Sequence, residues 1–343
     1  MNPPESPALE ARAPLTRRQL LGGAGAAAML TAGAGLGAHR AAVAQSSKPL
    51  TLAWNANAIC LVPVPVADQL GFFKKHGVKV ELTNFSGSTD ALLESIATGK
   101  ADAGVGMVHR WLKALEQGFD VKITGASHGG CTRIAGSRTA GVTDLQKLRG
   151  KTIGVSDLAS PGKNFFAILL GKHGIDPNKD VEWRQYPADL LGLAVEKGEI
   201  QAIADGDPNL YLIQKRNKDL VELATNLSGE YADKTCCVLG VRGSLVRGDK
   251  ATAAALTRAI VEASDWVANN PNESARIFTK FSPVPEADLR AVLGTLTHNH
   301  HPSGLALRQQ IEFYARDFKS IGVFRPGTDP AKFASHVVAD VLA

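Results

Sequence analysis

The fold this sequence predicts is α/β, organised in two lobes, and three observations predict it. β-prone and helical segments alternate from Leu50 to Ala126, and a second alternation begins near Thr143. Between them runs Lys122 to Gly136, two β-prone stretches joined through Gly129 and Gly130, a pair that lets the backbone bend or approach another group closely. A similar run, Thr235-Cys-Cys-Val-Leu-Gly-Val-Arg242, closes the second pattern. The two runs read as paired crossings between lobes, with a ligand cleft where they meet. The expected division is residues 48–133 with 238–343 as lobe 1 and 134–237 as lobe 2.

Leu50-Thr-Leu-Ala-Trp54 alternates and predicts the first strand. Asn55 to Cys60 is a polar loop. Pro63 and Pro65 open an apolar helix, Val64 to Leu70, with Gly71 as its stop, and a helical turn covers Phe72 to Gly77. Val78-Lys-Val-Glu-Leu82 alternates as strand two. Thr89 or Asp90 suits the N-cap of a helix over Ala91–Ala97. A short strand over Gly99–Gly106, a helix from Met107 to near Gly118 and a strand over Val121–Ala126 complete the first pattern. In the second, strands are expected at 150–155, 181–186, 201–204 and 220–223, and helices at 145–148, 163–173, 188–197 and 210–215. After the return run the chain reads as helical: 250–269, 272–278, 286–296, 304–321 and 330–342.

The first segment lies outside this scheme. Thr16-Arg17-Arg18-Gln19-Leu20-Leu21 is a twin-arginine pattern, followed by a Gly/Ala-rich apolar run to Ala38 and an A-x-A site at Ala42-Val43-Ala44. Residues 1–44 are therefore expected to be a signal peptide removed on export to the periplasm by the twin-arginine route. The apolar run is about long enough to span a bilayer, but its many glycines weaken it, and no stable membrane insertion is expected. Removal leaves 299 residues, enough for two lobes with cores of their own. The whole chain carries a net +5. The leader holds four arginines and two glutamates, so the remainder stands at +3 with no Lys/Arg block. That balance does not indicate nucleic acid or a membrane surface as partner.

The order of pieces resembles the periplasmic solute-binding proteins of ABC importers, in the family serving nitrate, sulfonates, taurine and thiamin-pyrimidine precursors. The carrying stretches are Val66-Ala-Asp-Gln-Leu-Gly-Phe-Phe73, Ala97-Thr-Gly-Lys-Ala-Asp-Ala-Gly104, Leu145 to Val155, Gly192 to Asp205, and Gly322 near the last helices. The resemblance implies a two-lobed periplasmic-binding-protein fold of type II with two hinge crossings. It implies a small-molecule ligand between the lobes, ABC permease subunits as partners, a monomer, no cofactor and no catalysis.

In such a fold the cleft is lined by loops at strand ends. Here those loops supply Trp54 and Asn55, then Ser86, Gly87, Ser88 and Thr89, then Met107 and His109, and Ser127 and His128. The second lobe would supply Ser160, Gly162, Lys163, Tyr186, Asp205 and Asp207. Two helix N-termini, after Ser88 and after Pro161, would face each other and suit a carboxylate, sulfonate or similar anion. Arg110, Arg133 and Lys163 are the nearby cations. Asp205 and Asp207 read either as partners for an amine or ring N–H or as turn residues before Pro208.

His298-Asn-His-His301 could chelate through i and i+2, but no carboxylate or cysteine accompanies it locally, and a solvated loop before Pro302 is the expectation. Cys60, Cys131, Cys236 and Cys237 show no C-x-x-C spacing, so no metal site is predicted. All four fall in cleft or crossing segments, and export makes pairing the default; the other reading is four small buried residues that never pair. If the crossings lie side by side, as the resemblance implies, one of Cys236 and Cys237 comes within disulfide reach of Cys131, and Cys60 is the candidate partner of the other. The alternatives to a binding protein are an enzyme of the branch that makes the thiamin pyrimidine, whose contiguous cysteine motif is absent here, and a metal or metal-complex binder using the four cysteines.

Overall fold

The computed structural model describes residues 48–85 and 89–343, with the backbone alone at Thr89. The leader segment 1–44 and the expected ligand residues Ser86, Gly87 and Ser88 lie outside the described residues. In chain order the elements are β1 Leu50–Trp54, α1 Pro63–Gln69, α2 Phe72–Lys75, β2 Val80–Asn84, α3 Thr89–Ala97, β3 Ala103–Met107, α4 Val108–Glu116 and β4 Val121–His128. Then come β5 Thr132–Ser137, β6 Lys151–Val155, α5 Pro161–Lys172, β7 Val181–Gln185, α6 Leu191–Glu196, β8 Ala202–Gly206, α7 Asn209–Arg216, β9 Leu220–Thr225 and β10 Cys237–Arg242. Six helices finish the chain: α8 Gly243–Gly248, α9 Lys250–Asn269, α10 Pro271–Phe278, α11 Glu286–Leu293, α12 Gly304–Ser320 and α13 Pro330–Val337.

The strands form two five-stranded sheets of the same design. The first has the order β2-β1-β3-β10-β4, and the second β7-β6-β8-β5-β9. In each, four strands share one direction and the fourth in the order runs against them: β10 against β3 and β4, β5 against β8 and β9. The chain leaves the first sheet through Gly129 to Cys131 and re-enters it at β10. The two crossings are hydrogen-bonded to each other at both ends. Cys236 N donates to His128 O at 2.8 Å, and Asn226 N donates to Thr132 O at 3.0 Å.

Glycines permit the close contacts that hold the first sheet to its helices. Trp111 of α4 is fully buried with its indole on β3 and β10, where a Cβ at Gly106 would lie 2.3 Å from the ring and one at Gly240 2.8 Å. Helix α12 packs on β4 and also on α5 of the second sheet, and its Tyr314 and Phe318 join one core with Phe165 and Tyr231.

Three expectations need adjusting. Strand two is Val80–Asn84, because Val80 pairs with Leu50 and Val78 is buried after the turn at Gly77. The last helix stops at Val337, since Val338 bridges to Ile123 and Ala339 N donates to Ile123 O at 2.9 Å. Thr132 and Arg133 pair within the second sheet and Cys237 within the first, so the expected division after 133 and 237 cuts into strands.

Candidate functional site at the crossings

Five chemically active side chains meet where the crossings touch. β4 delivers His128 at its end. The bend that follows contains Gly130 at φ 89° and Cys131 at φ 95°, a left-handed backbone that disfavours any side chain. β10 begins with Cys237, directly after Cys236. Cys60 arrives on a single helical turn, Ile59–Leu61, after β1. One ligand-competent atom from each of Cys60, His128, Cys131 and Cys237 lies within 4.8 Å of all the others. All four residues are buried, with exposures of 1, 0, 5 and 0 %.

The four cysteines are free thiols in this structure, and the expected disulfides are not formed. Cys131 Sγ and Cys236 Sγ stand 3.4 Å apart, against about 2.05 Å for a bond. Adjacent strand residues face opposite ways. Cys236 lies just ahead of β10, so this alternation does not part the pair: Cys236 Sγ approaches Cys131 Sγ, and Cys237 lies within 4.8 Å of Cys131 as well as of Cys60 and His128.

Hydrogen bonds from Cys131 and then Cys237 pull the Cys60 thiol well down, and the same two donors pull Cys236 down. The bond to Cys236 pushes Cys131 up, and burial does the same to Cys237. Burial pulls His128 down more than any single neighbour pushes it up, but the charge and hydrogen bond of Cys60, the charge of Cys236 and the Gly129 carbonyl together outweigh it and raise His128 to about 9. His128 Nδ1 lies 3.2 Å from Gly129 O, while Nε2 is buried without a hydrogen-bond partner.

The histidine segment departs from its expectation. Gly129 and Thr297 form an antiparallel bridge, which brings the segment onto the crossing. His298 is therefore buried, with Nε2 3.1 Å from Cys60 O and its ring 5.1 Å from that of His128. Burial, and then the charge of His128, lower it to about 3. His301 turns instead to Asp265 at 2.7 Å and His300 to Gln310 at 3.1 Å, so the segment does not chelate as a unit.

The other expected ligand residues are scattered. Ser127 is buried beside the thiols, its Oγ 3.4 Å from Cys237 O. Trp54 is a core residue, edge-on to Phe278 and Phe281. Asn55 closes its own turn by accepting from Asn57 N at 2.8 Å, and Met107 is half-buried at the end of β3. His109 sits in an aromatic box of Phe165, Tyr314 and Phe318, with Nε2 unpartnered. The apolar stripe Val108, Trp111, Leu112 and Leu115 carries the matching signal in the sequence.

In the second sheet, Ser160 caps α5 by accepting from Lys163 N at 3.1 Å, and Gly162 is buried against Ala204. Lys163 lies over Trp183 with its ammonium 5.8 Å from the ring centroid. Tyr186 donates to Glu199 at 3.0 Å. Asp205 accepts from Ser156 at 2.8 Å and Asn209 at 2.6 Å. Asp207 pairs with Arg133 at 2.5 Å beside Cys131, and the two help line a cavity of about 70 Å³.

The sequence did not single out the contact that links the two sheets' helices. Arg110 of α4, 8 % exposed at its side chain, holds Asp90 at the start of α3 at 2.5 Å and Asp157 ahead of α5 at 2.8 Å. Asn164 Nδ2 donates to His109 O at 3.4 Å across the same seam. A cavity of about 370 Å³ opens here, between Asp90, Arg110, Phe119, Ala159 and Asn164.

The chain is 26 % identical to the 4-amino-5-hydroxymethyl-2-methylpyrimidine phosphate synthase of Uromyces fabae, over 83 % of this chain and 84 % of that one. The periplasmic nitrate-binding protein NrtA of Synechocystis PCC 6803 superposes with a TM-score of 0.70, at 15 % identity, over 86 % of each chain. The periplasmic aliphatic sulphonate-binding protein SsuA of Escherichia coli does so at 0.70 and 14 % identity, over 85 % of this chain and 98 % of that one. These likenesses establish the two-lobed, type II periplasmic-binding-protein fold. The NMT1/THI5-like family model matches residues 60–274, well over half of the sequence, so the chain belongs to the NMT1/THI5-like family.

Proposed function

We propose that this protein is the solute-binding component of an ABC importer, capturing a small organic anion or heteroaromatic acid (sulfonate-, nitrate- or carboxylate-like) between its lobes and delivering it to the permease. Arg110 carries the reading. Its buried guanidinium sits between the N-terminal ends of α3 and α5, whose partial positive charges favour an anion. Asp157, 47 % exposed at its side chain, is the displaceable partner. A ligand anion taking its place would touch both lobes at once, and such two-sided contacts supply the free energy of closure. In this reading lobe 1 is residues 48–131 with 237–343 and lobe 2 is 132–236, the expected division moved to the strand ends. Among the described residues no helix is long and apolar enough to cross a membrane. Residues 1–44 direct export, and the mature protein works as a periplasmic monomer.

The test is a thermal-shift and calorimetric screen of sulfonates, nitrate, carboxylates and pyrimidines. A ligand at a hundredfold over its Kd adds about 2.7 kcal/mol of stability. Arg110→Gln should weaken the best ligand roughly tenfold or more, the cost of a lost bond to a charged group. Wild-type affinity in Arg110→Gln sinks the anion model. A second reading rests on the Uromyces relative, whose name is that of a synthase. It makes this protein an enzyme forming that phosphorylated pyrimidine. A solute recovered chemically unchanged supports binding, and turnover or consumption of a side chain supports the enzyme.

A further inference from the structure

We propose that Cys60, His128, Cys131 and Cys237 form a four-coordinate site for a zinc(II) ion that staples the base of the two crossings. The quartet comes from four separate places: the turn after β1, the end of β4, the bend before β5 and the first residue of β10. Their donor atoms already lie within 4.8 Å of one another. Zinc bound at about 2.3 Å to sulfur and about 2.0–2.1 Å to nitrogen sets tetrahedral donors roughly 3.5–3.8 Å apart. Contracting the widest separation takes about 1 Å, within reach of side-chain rotation.

Two features set the cluster apart from four small residues filling a core. His128 Nε2 is buried with no hydrogen-bond partner, while Nδ1 faces Gly129 O. That arrangement holds the Nδ1 proton on Gly129 O and leaves Nε2 to exchange its proton for a metal, the usual support of a ligating histidine. Cys131 is the only non-glycine at positive φ among the described residues, and it follows two glycines. Glycine would sit there without strain. A side chain held against its own backbone preference is a mark of a ligand clamp.

The chemistry of the set selects the ion. Three thiolates and one imidazole are soft donors that suit zinc and reject magnesium and calcium. Four protein ligands leave no open position, and the site is buried throughout, so the ion is resident and structural, neither cargo nor catalyst. Cys236 stays outside, its Sγ 3.4 Å from that of Cys131. A Cys131–Cys236 disulfide would remove one ligand, so the staple and that disulfide exclude each other. None of this depends on which solute the lobes take.

The experiment is metal analysis of the full chain purified without chelator, followed by cobalt(II) replacement. One zinc per chain is expected, together with the intense visible bands of tetrahedral cobalt and thiolate charge transfer. Cys60→Ser, Cys131→Ser and Cys237→Ser should lose the ion, and Cys236→Ser should keep it. Should the serine variants fail to fold, the wild-type metal content and cobalt spectrum decide alone. The proposal is overturned by a metal-free protein that yields no tetrahedral cobalt spectrum. A protein lighter by two hydrogens through a Cys131–Cys236 bond overturns it too, as does a reversal of roles between Cys236 and Cys237.

Discussion

His109 should make this protein sensitive to acid in a defined window. Its ring is 2 % exposed and enclosed by Phe165 from α5 and by Tyr314 and Phe318 from α12, with Nε2 unpartnered. Burial lowers its pKa from 6.5 to about 4, against a smaller upward pull from Cys236. Between those two values the unfolded chain binds a proton that the native chain refuses. Stability therefore rises with pH through the window, is fully present above 6.5, and is lost as pH falls towards 4. At about 1.4 kcal/mol per unit, the displacement corresponds to roughly 3 kcal/mol. His109→Phe keeps the volume and removes the titration. Urea unfolding of both proteins at steps from pH 7 to pH 4 should show the wild type losing about 3 kcal/mol more than the variant. Other titrating groups act on both proteins alike, so the difference isolates His109. Parallel pH profiles would refute the reasoning.

Gly106→Ala should cost about 1–3 kcal/mol through overpacking, because the new Cβ would stand 2.3 Å from the Trp111 ring; an unchanged melting temperature by calorimetry contradicts that packing. Replacing Arg17 and Arg18 with Lys should hold the precursor in the cytoplasm, and wild-type material should begin at or near Gln45 by mass spectrometry. Unaltered export of the double variant would show that another route serves.

The strands were legible as short β-prone runs bounded by loop residues: Leu50–Trp54 and Lys151–Val155 lie where or nearly where the sequence puts them, although their last three residues are buried on both faces and do not alternate. The paired crossings followed from glycines and short apolar runs, and their side-by-side placement from the family resemblance. The parts that escaped are long-range. Nothing near His298 announces burial, since it is carried inward by a bridge to Gly129, well over a hundred residues away in the chain. Both Cys236 and Cys237 come near Cys131, because Cys236 precedes β10 and the register shifts between Cys237 and Val238, a departure from strand parity that no local pattern shows. His109 flanks an apolar helical stripe and reads as a cleft histidine only if the helix is turned slightly. The quartet of metal-competent side chains spans residues 60 to 237, so no spacing rule finds it.

The shared strand order of the two sheets has a consequence for the order in which the molecule can be built. The five strands of the second sheet lie within one uninterrupted stretch, Thr132 to Thr225, and can pair as soon as that stretch leaves the ribosome. The first sheet cannot be finished then. β4 finds its partner in β10 and a further bridge at Val338, both made more than a hundred residues later. Synthesis thus completes the downstream half first and leaves β4 waiting with a bare edge, a non-local closure that slows folding. Pulse-labelling hydrogen exchange on arrested chains ending shortly after Thr225 should find β5 to β9 protected and β4 open.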